Sequence, residues 1–431
     1  MNSNQTVRGS ACDLSYKSQV ATPFVASFQP ESTRLRAGEM LQGIYLCIEG
    51  EANVAVRVTD DIPYGNVCDV EIIRTPGQRE VKFAASTHGG PECLWFCFRI
   101  ESDEIPVPSE QLRLTLKHVS SMLGCAEGDV LVPVMREDGE EWKRMEPAEC
   151  TRGPDGACTA SWLLTLSQNA LDLAFCYPYG QPEVEALISE TNGYWTPTVI
   201  GVSHNDRPIV RLMNPVAKAD EERPGLLFIA RQHSAETPGS WVLAGLLREL
   251  AERDSDLAVW AVPLSNIDGV EQGDYGKDNF PYDLNRAWGQ TPMRHETLVI
   301  QKDIAWFIEQ YRPALAVDFH APGGTEDTGA YAFLPNPDDF PDIHEKTGQW
   351  AEAFADGLGD YAAEEFARVA TYPSRWETPN FTTYCAGALE IPAFTLETPY
   401  AKVGDRVLSR RDYRTIGTRM AETITHNYTM L

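Results

Sequence analysis

The apolar run at residues 226–230 breaks off into "RQHSAETPG", which sets His233 and Glu236 three residues apart just beyond a predicted buried strand. A second histidine, His320, closes another apolar run in "LAVDFHAP". Two imidazoles and a carboxylate at the carboxyl ends of strands in one sheet make a three-ligand set. His₂Glu is a set that catalytic zinc uses, with the fourth position left open for water. His-x-x-Glu alone is a common string, and a helix-capping glutamate beside a solvent-facing histidine reads the same way. The matching strand-end position of His320, in a chain with eight histidines, favours the metal.

Other residues extend the chemistry. Asp283, in "DLNRAW", is placed to accept the remaining N–H of His233, which fixes the tautomer and raises the ring's basicity. Asn285 and Arg286 follow it, an amide and a planar guanidinium suited to capture of a carboxylate. A loop arginine in a surface ion pair is the alternative for Arg286. Glu397, in "FTLETPY", ends an apolar strand, where a carboxylate is costly unless paired or functional. Facing a metal, it could act as general base; otherwise it is an ordinary strand-end acid.

The elements that must position these residues fall into two textures. Up to about residue 178, short alternating runs such as "ECLWFCFRIE", "QLRLTLKHV" and "ASWLLTLS" are separated by Gly, Pro and Asp turns. They predict an antiparallel β-sandwich. Beyond it, strands alternate with helix-period stretches. "LLFIARQ" leads into "SWVLAGLLRELAER", whose Leu243, Leu246, Leu247 and Leu250 share one helical face. "ALAVDFHAP" and "AFTLETP" are later strands, and "TLVIQKDIAWFIEQY" and "PDIHEKTGQWAEAFADGL" are helices. The expected architecture is two domains: a β-sandwich over 20–178, then an α/β domain over 179–431 with a mixed, mostly parallel central sheet flanked by helices. Ligands bind such sheets at the carboxyl ends of the strands, where His233 and His320 lie.

Composition narrows the function. The 431 residues carry 36 Lys and Arg against 63 Asp and Glu, a net charge of −27. Neither nucleic acid nor an anionic membrane rewards that charge, so neither is an expected partner. The N-terminus lacks the apolar stretch of a secretory signal, and no run of about 18 apolar residues occurs. Ten cysteines include no C-x-x-C pair, and reduced core thiols are expected. These features predict a soluble cytoplasmic protein.

The blocks "ARQHSAETPGSW", "SNIDGVEQGDYGKDNFPYDLNRAW", "VDFHAPGG" and "FTLETPY" together resemble the zinc metallocarboxypeptidases, and within them the cytosolic carboxypeptidase-like subgroup. The likeness spans roughly residues 90–400, and the first half is similar to the β-sandwich that precedes the catalytic domain there. It implies one Zn²⁺ on His233, Glu236 and His320, Glu397 as general base, and Asn285 and Arg286 on the substrate's terminal carboxylate. Tyr372, in "TYPSRW", is similar to the mobile tyrosine that closes over that carboxylate. One departure stands out. The family carries an arginine that polarises the scissile carbonyl between the "N-x-D-G" and "D-x-N-R" blocks, whereas "VEQGDYGKDNFPY" offers only Lys277. Lys277 is therefore expected near the oxyanion. Arg375, in the expected specificity loop, could receive an acidic C-terminal side chain or face outward in an ion pair.

The implied substrates are peptide or protein C-termini, cleaved at a peptide or isopeptide bond. An N-acyl amino acid hydrolase of aspartoacylase type shares the His-x-x-Glu and D-L-N-R strings. A catalytically silent binding protein is the third reading, against which the complete ligand and base set argues.

Overall fold

The computed structural model describes residues 44–47 and 56–430, apart from 76–77, 89, 103–110, 139, 166–167, 216–221, 254–255, 372–375 and 428–429. The strand-rich part contains two larger sheets. Six strands run in the order Ile44–Cys47, Val56–Thr59, Cys97–Ser102, Ala170–Ala174, Val134–Glu137, Lys143–Arg144. Five run in the order Thr151–Arg152, Cys158–Thr165, Gln111–Leu116, Gln78–Ala84, Cys68–Thr75. Alternation forms them: in Gln78–Ala84, Val81 and Phe83 are fully buried between partly exposed Glu80 and Lys82.

The expected all-antiparallel pairing does not hold throughout. Gln78–Ala84 runs parallel to Gln111–Leu116. Between them the chain contributes Cys97–Ser102 to the other sheet and returns, the long crossover that parallel neighbours need.

The α/β part is built on eight strands: β1 (Thr196–Val202), β2 (Pro208–Met213), β3 (Pro224–Ala230), β4 (Ala258–Val262), β5 (Arg312–His320), β6 (Ala330–Leu334), β7 (Ala362–Val369) and β8 (Ala393–Glu397). Their order is β1-β2-β4-β3-β5-β8-β6-β7. The central pairs β3–β4, β3–β5 and β5–β8 are parallel, as is β6–β7, while β1–β2, β2–β4 and β6–β8 are antiparallel. The sheet is mixed, with three of its four parallel pairs at the centre. Every residue of β3 is buried, as a strand covered on both faces requires. Helix α1 (Gln181–Glu190) precedes the sheet, and helix α2 (Thr237–Arg253) follows β3, with Leu243, Leu246, Leu247 and Leu250 all buried. Helix α2 packs against the C-terminal helix Arg410–His426. No helix among the described residues is long and apolar enough to cross a membrane.

Arg144 and Gly124 each help join the strand-rich part to the α/β part. Arg144 donates from Nε to the Leu408 carbonyl at 2.8 Å and from its terminal nitrogens to the Val132 carbonyl and the Tyr413 hydroxyl, each at 2.8 Å. It also bonds the Tyr400 carbonyl, three residues past Glu397, and lies 4.7 Å above the Tyr177 ring. Four acceptors and an aromatic face satisfy this buried guanidinium without a carboxylate. Gly124, at φ +66°, seats against Gly323, whose Cα stands 2.5 Å from where a Cβ on Gly124 would be. Gly324 N–H donates to the Leu123 carbonyl at 2.9 Å, and Thr325 Oγ1 donates to the Gly124 carbonyl at 2.6 Å.

Candidate active site

β3 ends in a turn at Arg231, a non-glycine residue at φ +63°. Its buried guanidinium holds the turn, donating to the Ser234 and Tyr179 carbonyls at 2.6 Å each. Such a conformation costs on the order of 1–3 kcal/mol and persists where the surroundings enforce it. The turn swings His233 and Glu236 inward over the end of β5, where His320 is the last residue. All three are buried.

His233 Nδ1 lies 2.8 Å from Glu236 Oε1, and His320 Nδ1 lies 2.6 Å from Glu236 Oε2. The rings stand 4.7 Å apart and 73° from parallel. One ligand atom from each of the three residues falls within 4.8 Å of the others.

Carboxylates back both rings. Asp283 Oδ1 is 3.4 Å from His233 Nε2, long for a hydrogen bond, and Nε2 has no other partner among the described residues. Asp318 Oδ2 is 2.9 Å from His320 Nε2 and also accepts from Gln232 Nε2 at 2.6 Å. Gln232 Oε1 in turn accepts from Trp288 Nε1 at 2.6 Å. A proton held at Nε2 by Asp318 leaves the Nδ1 lone pair of His320 for a metal. Asp318 and Gln232 were not foreseen from the sequence. The signal was present: Asp318 precedes His320 by two positions in a strand, so both point to one face.

Glu397 ends β8 and is the register partner of His320 on one side and Tyr331 on the other. Its Oε2 is buried with no hydrogen-bond partner among the described residues. Burial pushes this carboxyl up to about 7, with Glu236 adding to the shift and His320 opposing it. At Glu236 burial would also raise the pKa, yet the two imidazoles hold it well below the carboxylate range. Burial disfavours a proton on His320, but Asp318 and Glu236 outweigh it. Glu236, Asp283, Asp318 and Glu397 thus crowd around two imidazoles. That donor set, with surplus negative charge, fits a divalent cation.

The site opens into a cavity of about 460 Å³ lined also by Lys277, Asn285, Arg286, Tyr331 and Thr395. Lys277 is half-buried, and its charge draws the Glu397 carboxyl down. Arg286 is half-buried, with one terminal nitrogen on the Asn285 carbonyl at 2.7 Å. Asn285 is committed inward: Oδ1 accepts from Gln232 Nε2 at 3.0 Å and Phe381 N–H at 3.1 Å, while Nδ2 sits 3.1 Å from His320 Nε2. Tyr372 and Arg375 lie outside the described residues. Next to them, Trp376 Nε1 donates to Asp278 Oδ1 at 2.7 Å, beside Lys277.

Residues 184–320 match the model of the zinc carboxypeptidase family. Cytosolic carboxypeptidase 6 of Mus musculus is 24% identical over 251 residues, 53% of this chain and 45% of that protein. The chain spans about half the length of these curated relatives. Its fold is shared with a metallo-carboxypeptidase from Burkholderia cenocepacia, at TM-score 0.68 and 17% identity over 87% of this chain and all of that one. A metallo-carboxypeptidase from Pseudomonas aeruginosa gives 0.65 and 19%, covering 86% of this chain and 99% of that one. Residues 184–320 are thus similar to a zinc carboxypeptidase domain, and zinc is a metal that the His233, Glu236 and His320 cluster suits.

Asp318 gives a direct test of that cluster. Asp318→Asn should weaken zinc binding by about 10–100-fold, since the imidazole loses its charged partner. Competition with a fluorescent chelator measures it; unchanged affinity would show that Asp318 does not tune the ligand.

Proposed function

We propose that the protein is a zinc-dependent metallocarboxypeptidase that hydrolyses the C-terminal peptide or isopeptide bond of peptides or proteins. The observation that carries this reading is the meeting of His233, Glu236 and His320 opposite Glu397, whose buried carboxyl lacks a hydrogen-bond partner among the described residues. His233 and His320, each through Nδ1, and the Glu236 carboxylate would hold the zinc, which would supply Lewis-acid polarisation and lower the pKa of a water there.

This chain's residues do the rest. Glu397 takes the proton from the attacking water and hands it to the leaving amine, a task suited to a carboxyl raised to about 7. Arg286 grips the terminal carboxylate with its planar fork. Asn285 lines the cavity beside Arg286 and shares in that grip. Lys277 faces the charge that develops on the carbonyl oxygen. Lys277→Ala should therefore lower kcat by about 10²–10³ with little change in KM. Full kcat in that variant would remove Lys277 from the chemistry.

The strand-rich part is read as a β-sandwich, because Phe83 of the five-stranded sheet stands 4.7 Å from Phe98 of the six-stranded one. We set the boundary with the catalytic domain at residues 178 and 179. The names of the relatives support a cytoplasmic protein.

Free-acid peptides, the same peptides amidated at the C-terminus, and N-acyl amino acids should be assayed together by mass spectrometry. Loss of one residue from the free acids alone is the expected result. Cleavage of the N-acyl amino acids alone would favour the aspartoacylase-like reading.

A further inference from the structure

We propose that Asn66, in the strand-rich part, is a positioning residue for Lys277, so that the first half of the chain sets part of the geometry of the active site. This rests on the role of Lys277 given above.

Asn66 is fully buried, and its amide is completely used. Oδ1 accepts from Ser86 N–H at 2.8 Å, and Nδ2 donates to the Ser86 carbonyl at 3.1 Å. The other hydrogen of Nδ2 crosses to the Gly273 carbonyl at 2.8 Å. Gly273 follows helix α3 (Ile267–Gln272) in a left-handed conformation at φ +70°. A Cβ on it would stand 2.2 Å from the Gly65 carbonyl oxygen, so the two backbones are in direct contact. His88 Nδ1 adds a contact to the Gln272 carbonyl at 3.0 Å and lies 3.5 Å from Asp274 Oδ1.

From there to Lys277 each residue is pinned from the other side by the turn that carries the metal ligands. Ser234 Oγ donates to the Asp274 carbonyl at 3.1 Å, and Ala235 N–H donates to the Tyr275 carbonyl at 3.0 Å. Gly276, at φ +88°, passes so close that a Cβ on it would lie 2.4 Å from Ser234 N. The segment 273–276 is thus held between Asn66 and the His233–Glu236 turn, and Lys277 leaves it into the cavity. A lysine has a long, rotatable stem, so its ammonium can act as a preorganised charge only if its root is fixed. Removing Asn66 strands the Gly273 carbonyl and frees that root.

The test is a double-mutant cycle of Asn66→Ala and Lys277→Ala, with an N-blocked dipeptide bearing a free carboxylate as substrate. Zinc content and melting temperature are measured on each protein. Asn66→Ala should keep one zinc per chain and lower kcat by about 10–100-fold, the scale of a small misplacement. In the Lys277→Ala background it should change kcat by less than about twofold. A phosphonate dipeptide, whose anionic oxygen mimics the oxyanion, should lose affinity by the same pattern in calorimetry. Equal losses in both backgrounds, or no loss with Lys277 present, would overturn the proposal while leaving the role of Lys277 standing. Full kcat in Lys277→Ala alone would overturn that role, and the brace with it. If Asn66→Ala does not fold, His88→Ala loosens the same segment from a more exposed position and should give a smaller loss with the same dependence on Lys277.

Discussion

Glu397→Gln should yield a folded, zinc-loaded protein whose kcat is lower by about 10²–10⁴-fold, the usual contribution of a positioned general base. The substitution keeps the shape of the side chain and removes its capacity to take a proton. Because Oε2 has no hydrogen-bond partner among the described residues, the amide forfeits no native bond there. The carboxylate is also a burden in its present place, since burial alone pushes its pKa up. A neutral amide relieves that cost, so melting temperature should hold or rise as activity falls. Zinc content by atomic absorption, melting temperature and kcat together decide the matter. Loss of zinc would make Glu397 a ligand, and an unchanged kcat would leave the reaction without its base.

Glu236→Gln should have two separable effects. In the zinc-loaded protein a charged ligand becomes a neutral one, and affinity should fall by more than the about 10–100-fold expected for an outer partner such as Asp318. In the metal-free protein Glu236 is the carboxylate that both imidazoles face, at 2.8 and 2.6 Å. Removing one member of a buried charged group costs about 3–5 kcal/mol, so the metal-free variant should unfold at distinctly lower urea concentration than metal-free wild type. Chelator competition reads the first effect and urea titration after zinc removal reads the second. Wild-type behaviour in both would separate this carboxylate from the metal centre.

What the sequence disclosed follows from where burial leaves a pattern. The apolar runs of β3 and β5 are continuous because both faces of these strands are covered, so a histidine at their ends stands out. Asp318 lies inside such a run, where no break in the pattern marks it, although a carboxylate in a fully buried strand asks for a partner. Helix α3 hid in a stretch that reads as polar loop. Its cues were Asn266, whose side chain caps Gly269 N–H, and Gly273 in the left-handed region at its end. β7 escaped because an edge strand with exposed glutamates shows little apolar alternation. The parallel pairing of Gln78–Ala84 with Gln111–Leu116 depends on a crossover through another sheet, which no local window of residues encodes. Arg144 reads as an ordinary charged residue, and its burial among carbonyls depends wholly on tertiary contact.

The seat of Gly124 on Gly323 bears on how this protein can be recombined. Thr325, which bonds the same Gly124 carbonyl, is 201 positions away from it in the chain. Neither glycine can gain a methyl group without pushing the other backbone aside. A chimera that takes its catalytic half from a relative would therefore inherit a mismatched turn unless residues 121–126 travelled with it. In any library of exchanged segments, those few residues belong to the downstream cassette.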